Sequence, residues 1–228
     1  MSRSEYFGKI FGYLIGIFTA LISYLRSSRM FHPNGLLFEA HVKSERFPEY
    51  AIVRLSSAWW KEVELPDVLG VAIRFSSQKI KSVKPLPGDQ DLLFASFPEA
   101  WQTPFGPFIT NEKDFLKNDY HTVGYFDVGE RQVRYKLIPH EPPSIKGSRT
   151  EKLLEAVLAS EACFALYEGG KEVAVIKLLR VMHFDQEALR FNPFQNGLGI
   201  KPRGFLQYLR IGAYRLSQWA RPDGETPP

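Results

Sequence analysis

Leu209-Arg210-Ile211-Gly212-Ala213-Tyr214-Arg215-Leu216-Ser217-Gln218-Trp219-Ala220-Arg221 runs without a proline until Pro222, and predicts a helix that stops there. At ~100° per residue, Arg210, Tyr214 and Arg221 fall within about 40° of one another on one helix face. That face sets a phenol between two guanidinium groups. An ordinary amphipathic helix with a half-buried Tyr and two solvated arginines shows the same short pattern, so the helix alone decides nothing. An anionic phenolate has a use for the arrangement, because a neighbouring Arg favours the charged form of Tyr. A phenolate bound to ferric haem is one such species.

Two further groups of residues agree. Near the N-terminus stands Arg29-Met30-Phe31-His32-Pro33-Asn34-Gly35, followed by Val53-Arg54-Leu55-Ser56-Ser57. On these residues the chain resembles the haem catalase superfamily, and most of all its short catalase-related peroxidases, which keep only the haem barrel. The family's distal motif is Arg-x-x-His-Ala-Lys-Gly, its next strand reads Val-Arg-Phe-Ser, and its proximal helix carries Arg-x-x-x-Tyr with an Arg seven residues on. All three occur here in order, and the proximal spacing is kept. The likeness spans roughly residues 29–221.

The resemblance implies haem b, with Tyr214 as the axial phenolate on the iron and Arg210 stabilising it. Arg29, Arg54 and Arg221 become partners of the haem propionates. His32 becomes the general acid–base that takes a proton from one peroxide oxygen and returns it to the leaving one. Ser56 orients its imidazole. Three departures bear on activity. Phe31 stands where catalases carry a small Val, Ser96 lies near the position of the distal Asn, and Leu69 replaces the Arg before Gly70. They favour a peroxidase of H2O2 or organic and lipid hydroperoxides, using an external electron donor, with weak or no catalase activity. A fatty-acid hydroperoxide-rearranging enzyme and a non-catalytic, membrane-attached haem-binding barrel are the alternatives.

Residues 6–25 are strongly apolar, and residues 10–25 carry no charge. As a helix, 10–25 spans ~24 Å, and counting from Tyr6 gives ~30 Å with Lys9 free to snorkel. Gly8, Gly12, Gly16 and Ala20 recur every fourth residue, a stripe that lets helices approach in lipid. Residues 1–28 are therefore expected to form a membrane-associating helix, with an oligomerisation arm and a signal peptide as rivals. No small-x-small cleavage site is clear, and a cut near Ser23 would leave little chain before His32. Membrane association and a homo-oligomer are expected, with a soluble cytoplasmic protein as the alternative.

Residues 29–228 have the length of one domain, with 44% apolar and 24% charged residues over the whole chain. The net charge is +4 and no basic run is interleaved with aromatics, so nucleic acid is not an expected partner. The charge suits haem propionates or an anionic membrane. Cys163 is the single cysteine, which excludes an internal disulfide and a cysteine metal cage. His41, His121, His140 and His183 share no helical i, i+4 spacing and read as structural.

Alternating apolar runs predict strands at 35–42, 50–57, 69–75 and 90–96. A connection rich in Pro and Phe (97–109) and a short charged helix (111–117) follow. Hairpins are expected at 122–127/132–139 and 162–167/172–181, around a helix at 149–159 that turns Leu153, Leu154 and Val157 inward. Residues 191–202 read as a linker. The sum is an α+β fold: an eight-stranded antiparallel barrel whose interior is wide enough for a ligand, a C-terminal proximal helix and an apolar N-terminal helix. Arg54 and Ser56, two apart on a strand, share a face.

Overall fold

Strong alternation of large apolar side chains along the strands dictates a sheet with one dry face, and here the sheet closes on that face. The computed structural model describes residues 4–7, 9–10, 35–60, 63–79, 84–184, 189–205 and 207–208. In chain order these form β1 (Gly35–Lys43), β2 (Tyr50–Ser57), β3 (Leu69–Ser76), β4 (Gln90–Ala95), a 3-10 turn (Ala100–Phe105), α1 (Gly106–Ile109) and a second 3-10 turn (Phe115–Lys117). Then come β5 (Tyr120–Thr122), β6 (Tyr125–Val128), β7 (Arg131–Val133), β8 (Tyr135–Pro139), α2 (Arg149–Leu158), β9 (Cys163–Glu168), β10 (Lys171–Val181) and β11 (Ile200–Arg203). Eight strands make a closed antiparallel barrel in the order β1-β10-β9-β8-β5-β4-β3-β2.

The barrel interior is filled. Phe38, Val53, Ile73 and Leu92 are successive cross-strand neighbours and all have no exposed surface. Phe164 and Ile176 face each other on β9 and β10, equally buried. The expectation of an interior wide enough for a ligand is corrected: among the described residues, large side chains from every strand fill it.

Local signals hold where they are strongest. Gly169 and Gly170 take φ of 56° and 90° and turn β9 into β10 as a two-residue hairpin with two left-handed residues. Ser148 and Glu151 form a capping box on α2, which buries Leu153 and Val157, with Leu154 half-buried. Cys163 opens β9, and burial pushes its thiol up.

Three expectations change. The hairpin 122–127/132–139 splits: β5 and β8 stay in the barrel, while β6 and β7 leave it for a second sheet, in which β6 pairs with β7 and with β11. The break falls where the Thr122 hydroxyl accepts from the Tyr135 amide (3.1 Å) and donates toward the Gly124 carbonyl (3.2 Å). The supposed linker 191–202 thus contains most of a strand. The charged helix at 111–117 shrinks to the turn Phe115–Lys117, capped by Asp114, and helical turns form instead in the preceding connection.

The segment after β10 returns across the outer wall. Leu189 and Phe191 pack on Leu37, Ile52, Ala72 and Leu93. Beside them Arg74 and Asp91, cross-strand neighbours with no exposed side-chain surface, make a bidentate pair at 2.7 and 2.8 Å. Arg74 also donates to the Arg190 carbonyl at 2.5 Å and lies 5.2 Å from the Phe191 ring, and the Asn192 amide donates to Asp91 at 2.7 Å. Burial pushes the Asp91 carboxyl up and Arg74 opposes it. Residues 4–7 and 9–10 are helical, and the Gly204 amide donates to Glu5 at 3.2 Å. The rest of the apolar segment and the helix at 209–221 lie outside the described residues. Among those described, no helix is long and apolar enough to cross a membrane.

Removing one member of the buried pair leaves an uncompensated charge. Asp91→Ala is expected to cost about 3–5 kcal/mol in denaturant unfolding, and the double variant Arg74→Met/Asp91→Leu markedly less.

Candidate functional site

Strand register turns two polar residues outward together. The odd positions of β2 fill the barrel, so Arg54 and Ser56 face the outer wall. Across the wall Ser56 neighbours Gly35 on β1 and Gly70 on β3, and Gly70 neighbours Ala95 on β4. Arg54 neighbours Leu37 and Ala72. Ser56 therefore has glycine on both neighbouring strands, whereas Leu37 and Ala72 beside Arg54 belong to the cluster packed with Leu189 and Phe191.

Arg54 is only 3% exposed and Ser56 only 4%, so Arg54 is no strand-edge surface charge. Its guanidinium lies back against Gly35. A β-carbon at Gly35 would stand 2.8 Å from Arg54 Cζ and 2.6 Å from the Leu55 carbonyl oxygen. Gly35 is thus required by the placement of Arg54, and the sequence reading had kept it only as the end of a motif.

Ser96 serves the wall itself. Its hydroxyl accepts from the Leu69 amide (3.0 Å) and lies 2.6 Å from the Thr110 hydroxyl, which donates to the Gly106 carbonyl (2.8 Å). With the Thr110 proton so used, the Ser96 proton goes to Thr110. Leu69 itself points into the barrel core.

The histidines stay apart. His41 pairs with Glu49 at 3.4 Å on the surface, and His140 and His183 are exposed. Burial, with Lys136 nearby, holds the His121 imidazole below its usual range. Among the described residues no group of three or more His, Cys, Asp and Glu is placed to hold a metal ion. The described buried tyrosines are neutral phenols. Burial pushes Tyr120 up, and burial with a hydrogen bond to Glu168 (2.7 Å) pushes Tyr135 up.

Gln207 was not singled out in the sequence. It is 1% exposed, packs against Gly124, and among the described residues neither its side-chain nitrogen nor its oxygen has a hydrogen-bond partner. It precedes Arg210 by three residues and Tyr214 by seven, the spacing of one helical face. That period was the signal available in the sequence. Arg29, Phe31, His32, Arg210, Tyr214 and Arg221 lie outside the described residues; of the expected site, the structure brings Arg54 and Ser56 together.

No protein-family model matches the chain, and no curated protein matches it.

Gly35→Ala forces Arg54 or β1 to move. We expect a loss of about 1–3 kcal/mol in thermal or denaturant unfolding, with Arg54→Ala on the same background recovering part of it.

Proposed function

We propose that residues 29–228 form a haem-dependent peroxidase of H2O2 or organic and lipid hydroperoxides, with an external electron donor and weak or no catalase activity. The observation that carries the reading is that buried Arg54 and Ser56 share one face of the outer wall, with Gly35 and Gly70 beside Ser56.

The described residues fit haem b along one edge. Arg54 is a buried cation with the planar geometry that grips a carboxylate, as a propionate requires. Glycine on both sides of Ser56 leaves no β-carbon there, and the buried side-chain amide of Gln207, with no hydrogen-bond partner among the described residues, stands just before the motif that ends in Tyr214. Tyr214 would hold the iron, Arg210 would keep its phenolate anionic, and Arg29, Arg54 and Arg221 would hold the propionates. Bound there, haem supplies the redox centre for cleaving the O–O bond of a peroxide. His32 takes the proton from one peroxide oxygen and delivers it to the leaving oxygen, and the Ser56 hydroxyl fixes the imidazole's orientation. Residues 6–25 would hold the protein at membrane lipid, as a homo-oligomer.

The ultraviolet–visible spectrum of the purified protein tests this. We expect a Soret band and high-spin ferric bands of phenolate ligation, altered in Tyr214→Phe and shifted by peroxide. Arg54→Met should weaken haem affinity by about ten- to a hundredfold. His32→Ala should keep haem but slow the peroxide reaction by about 10²–10⁴-fold. Strong O2 evolution from H2O2 would overturn the preference for peroxidase over catalase. Turnover of fatty-acid hydroperoxides without reductant would favour the rearranging enzyme. Absence of a Soret band after haem reconstitution would sink the haem reading altogether.

A further inference from the structure

The end of the barrel that carries Ser56 also carries two loops with bare aromatic rings. The β2–β3 loop exposes Trp59 and Trp60, and the stretch spanning the first 3-10 turn and α1 exposes Trp101 (69%), Phe105, Phe108 (78%) and Ile109. Residues 100–111 contain no charged side chain. Exposed rings on this scale need an occupant.

The loops are held in place from beneath. Ala58, Val68 and Phe97 form a small buried cluster under both, and Gly106 sits so close that a β-carbon would be 2.7 Å from Val68. Asp67 accepts from the amides of Trp59 and Trp60 at about 3 Å. Arg149, at the start of α2, donates to the Trp60 carbonyl (2.7 Å), the Ser57 hydroxyl (3.2 Å) and the Glu112 carbonyl (3.3 Å), tying the loops to each other. The space beneath the rings is filled, so they stay on the outside.

The charges around the rings identify the occupant. Of the described acidic groups there, Asp67 is fully buried, Glu64 accepts from the Arg149 amide, Asp114 caps the turn Phe115–Lys117 and Glu99 pairs with Arg134, while Glu112 is half-buried beside Lys113. Lys113 and Lys117, just past α1, are exposed, Lys117 lying 3.9 Å from Asp114, and the chain is net positive. An uncharged projecting tip of Trp and Phe, flanked by exposed lysines, matches the boundary between acyl chains and anionic headgroups, where Trp concentrates.

We propose that the Trp59–Trp60 loop and the Trp101–Ile109 turns form a lipid-inserting rim that docks this end of the barrel on an anionic membrane surface. This surface is built from other residues than 6–25, and the proposal stands whether or not the barrel holds haem.

The test uses the full chain with Trp101 as its sole tryptophan (Trp59, Trp60 and Trp219→Phe) and vesicles of equal parts phosphatidylcholine and phosphatidylglycerol with brominated acyl chains. We expect the Trp101 emission to shift to shorter wavelength and to be quenched by the bromines. In the same Trp101 background, Phe108→Ser/Ile109→Ser should remove most of the shift and quenching, with the melting temperature unchanged because both side chains are exposed. Trp101 emission that neither shifts nor is quenched overturns the proposal, whether the chain pellets through residues 6–25 alone or remains free. A dimer in lipid-free solution that shields Trp101 and persists with vesicles also overturns it, and assigns the rim to a second copy.

Discussion

Arg74 and Asp91 face each other on the outer wall of the barrel with no water around them, and the course of the chain after β10 depends on that pair. The carboxylate satisfies the guanidinium with two hydrogen bonds and takes a third from the Asn192 amide. The guanidinium in turn holds the Arg190 carbonyl. Two side chains on the barrel thus fix the backbone of a segment about a hundred residues downstream. From there Gln90 takes over. Its amide nitrogen donates to the Gln195 carbonyl at 2.9 Å, while the Gly197 amide donates to the Asp89 carbonyl at 2.9 Å. The path leads to β11 and to Gln207, the last stretch before the Arg-x-x-x-Tyr motif.

Closure of the barrel determines where chemistry can occur. Phe, Val, Ile and Leu fill most of the inside, and the inward polar groups Tyr120 and Glu168 are satisfied by the Phe115 carbonyl and by Tyr135, Arg46 and Arg131. The outer wall accepts polar groups because segments of the same chain can cover them and supply hydrogen bonds. Arg74 with Asp91 shows the structural use of that wall. Arg54 with Ser56, which has Gly35 and Gly70 beside it, is the pair for which we propose a ligand. Gly35 makes the second arrangement possible by conceding the space of a β-carbon to a guanidinium.

Arg149 plays a similar part at the end of the barrel beyond Ser56. One buried guanidinium reaches Ser57, Trp60 and Glu112, so the end of β2, its following loop and the chain beyond α1 move as a unit with α2. A fixed base explains how six large apolar side chains stay on the surface: the loops that carry them cannot fold inward without breaking these bonds. The same end of the wall carries Ser56, so a docked membrane would lie near the proposed haem wall. A lipid hydroperoxide would then have little water to cross.

The sequence by itself determined what short-range physics controls. Period-two alternation marked the four strands before the Pro- and Phe-rich connection, Gly169-Gly170 marked a tight turn, and the apolar spacing at 149–159 marked α2. Each depends on residues a few positions apart. The shared face of Arg54 and Ser56 was legible for the same reason. Which face became the inside was not, because alternation distinguishes two faces without saying which one closure will bury. Tertiary structure alone filled the barrel, buried Arg54, split the β5–β8 hairpin at Thr122 and assigned Ser96 to the wall. It alone gave Arg149 its partners on distant loops and buried the Gln207 side chain with no partner among the described residues. Each of these outcomes rests on contacts between segments far apart in the chain, whose meeting is decided by register and closure rather than by any local pattern.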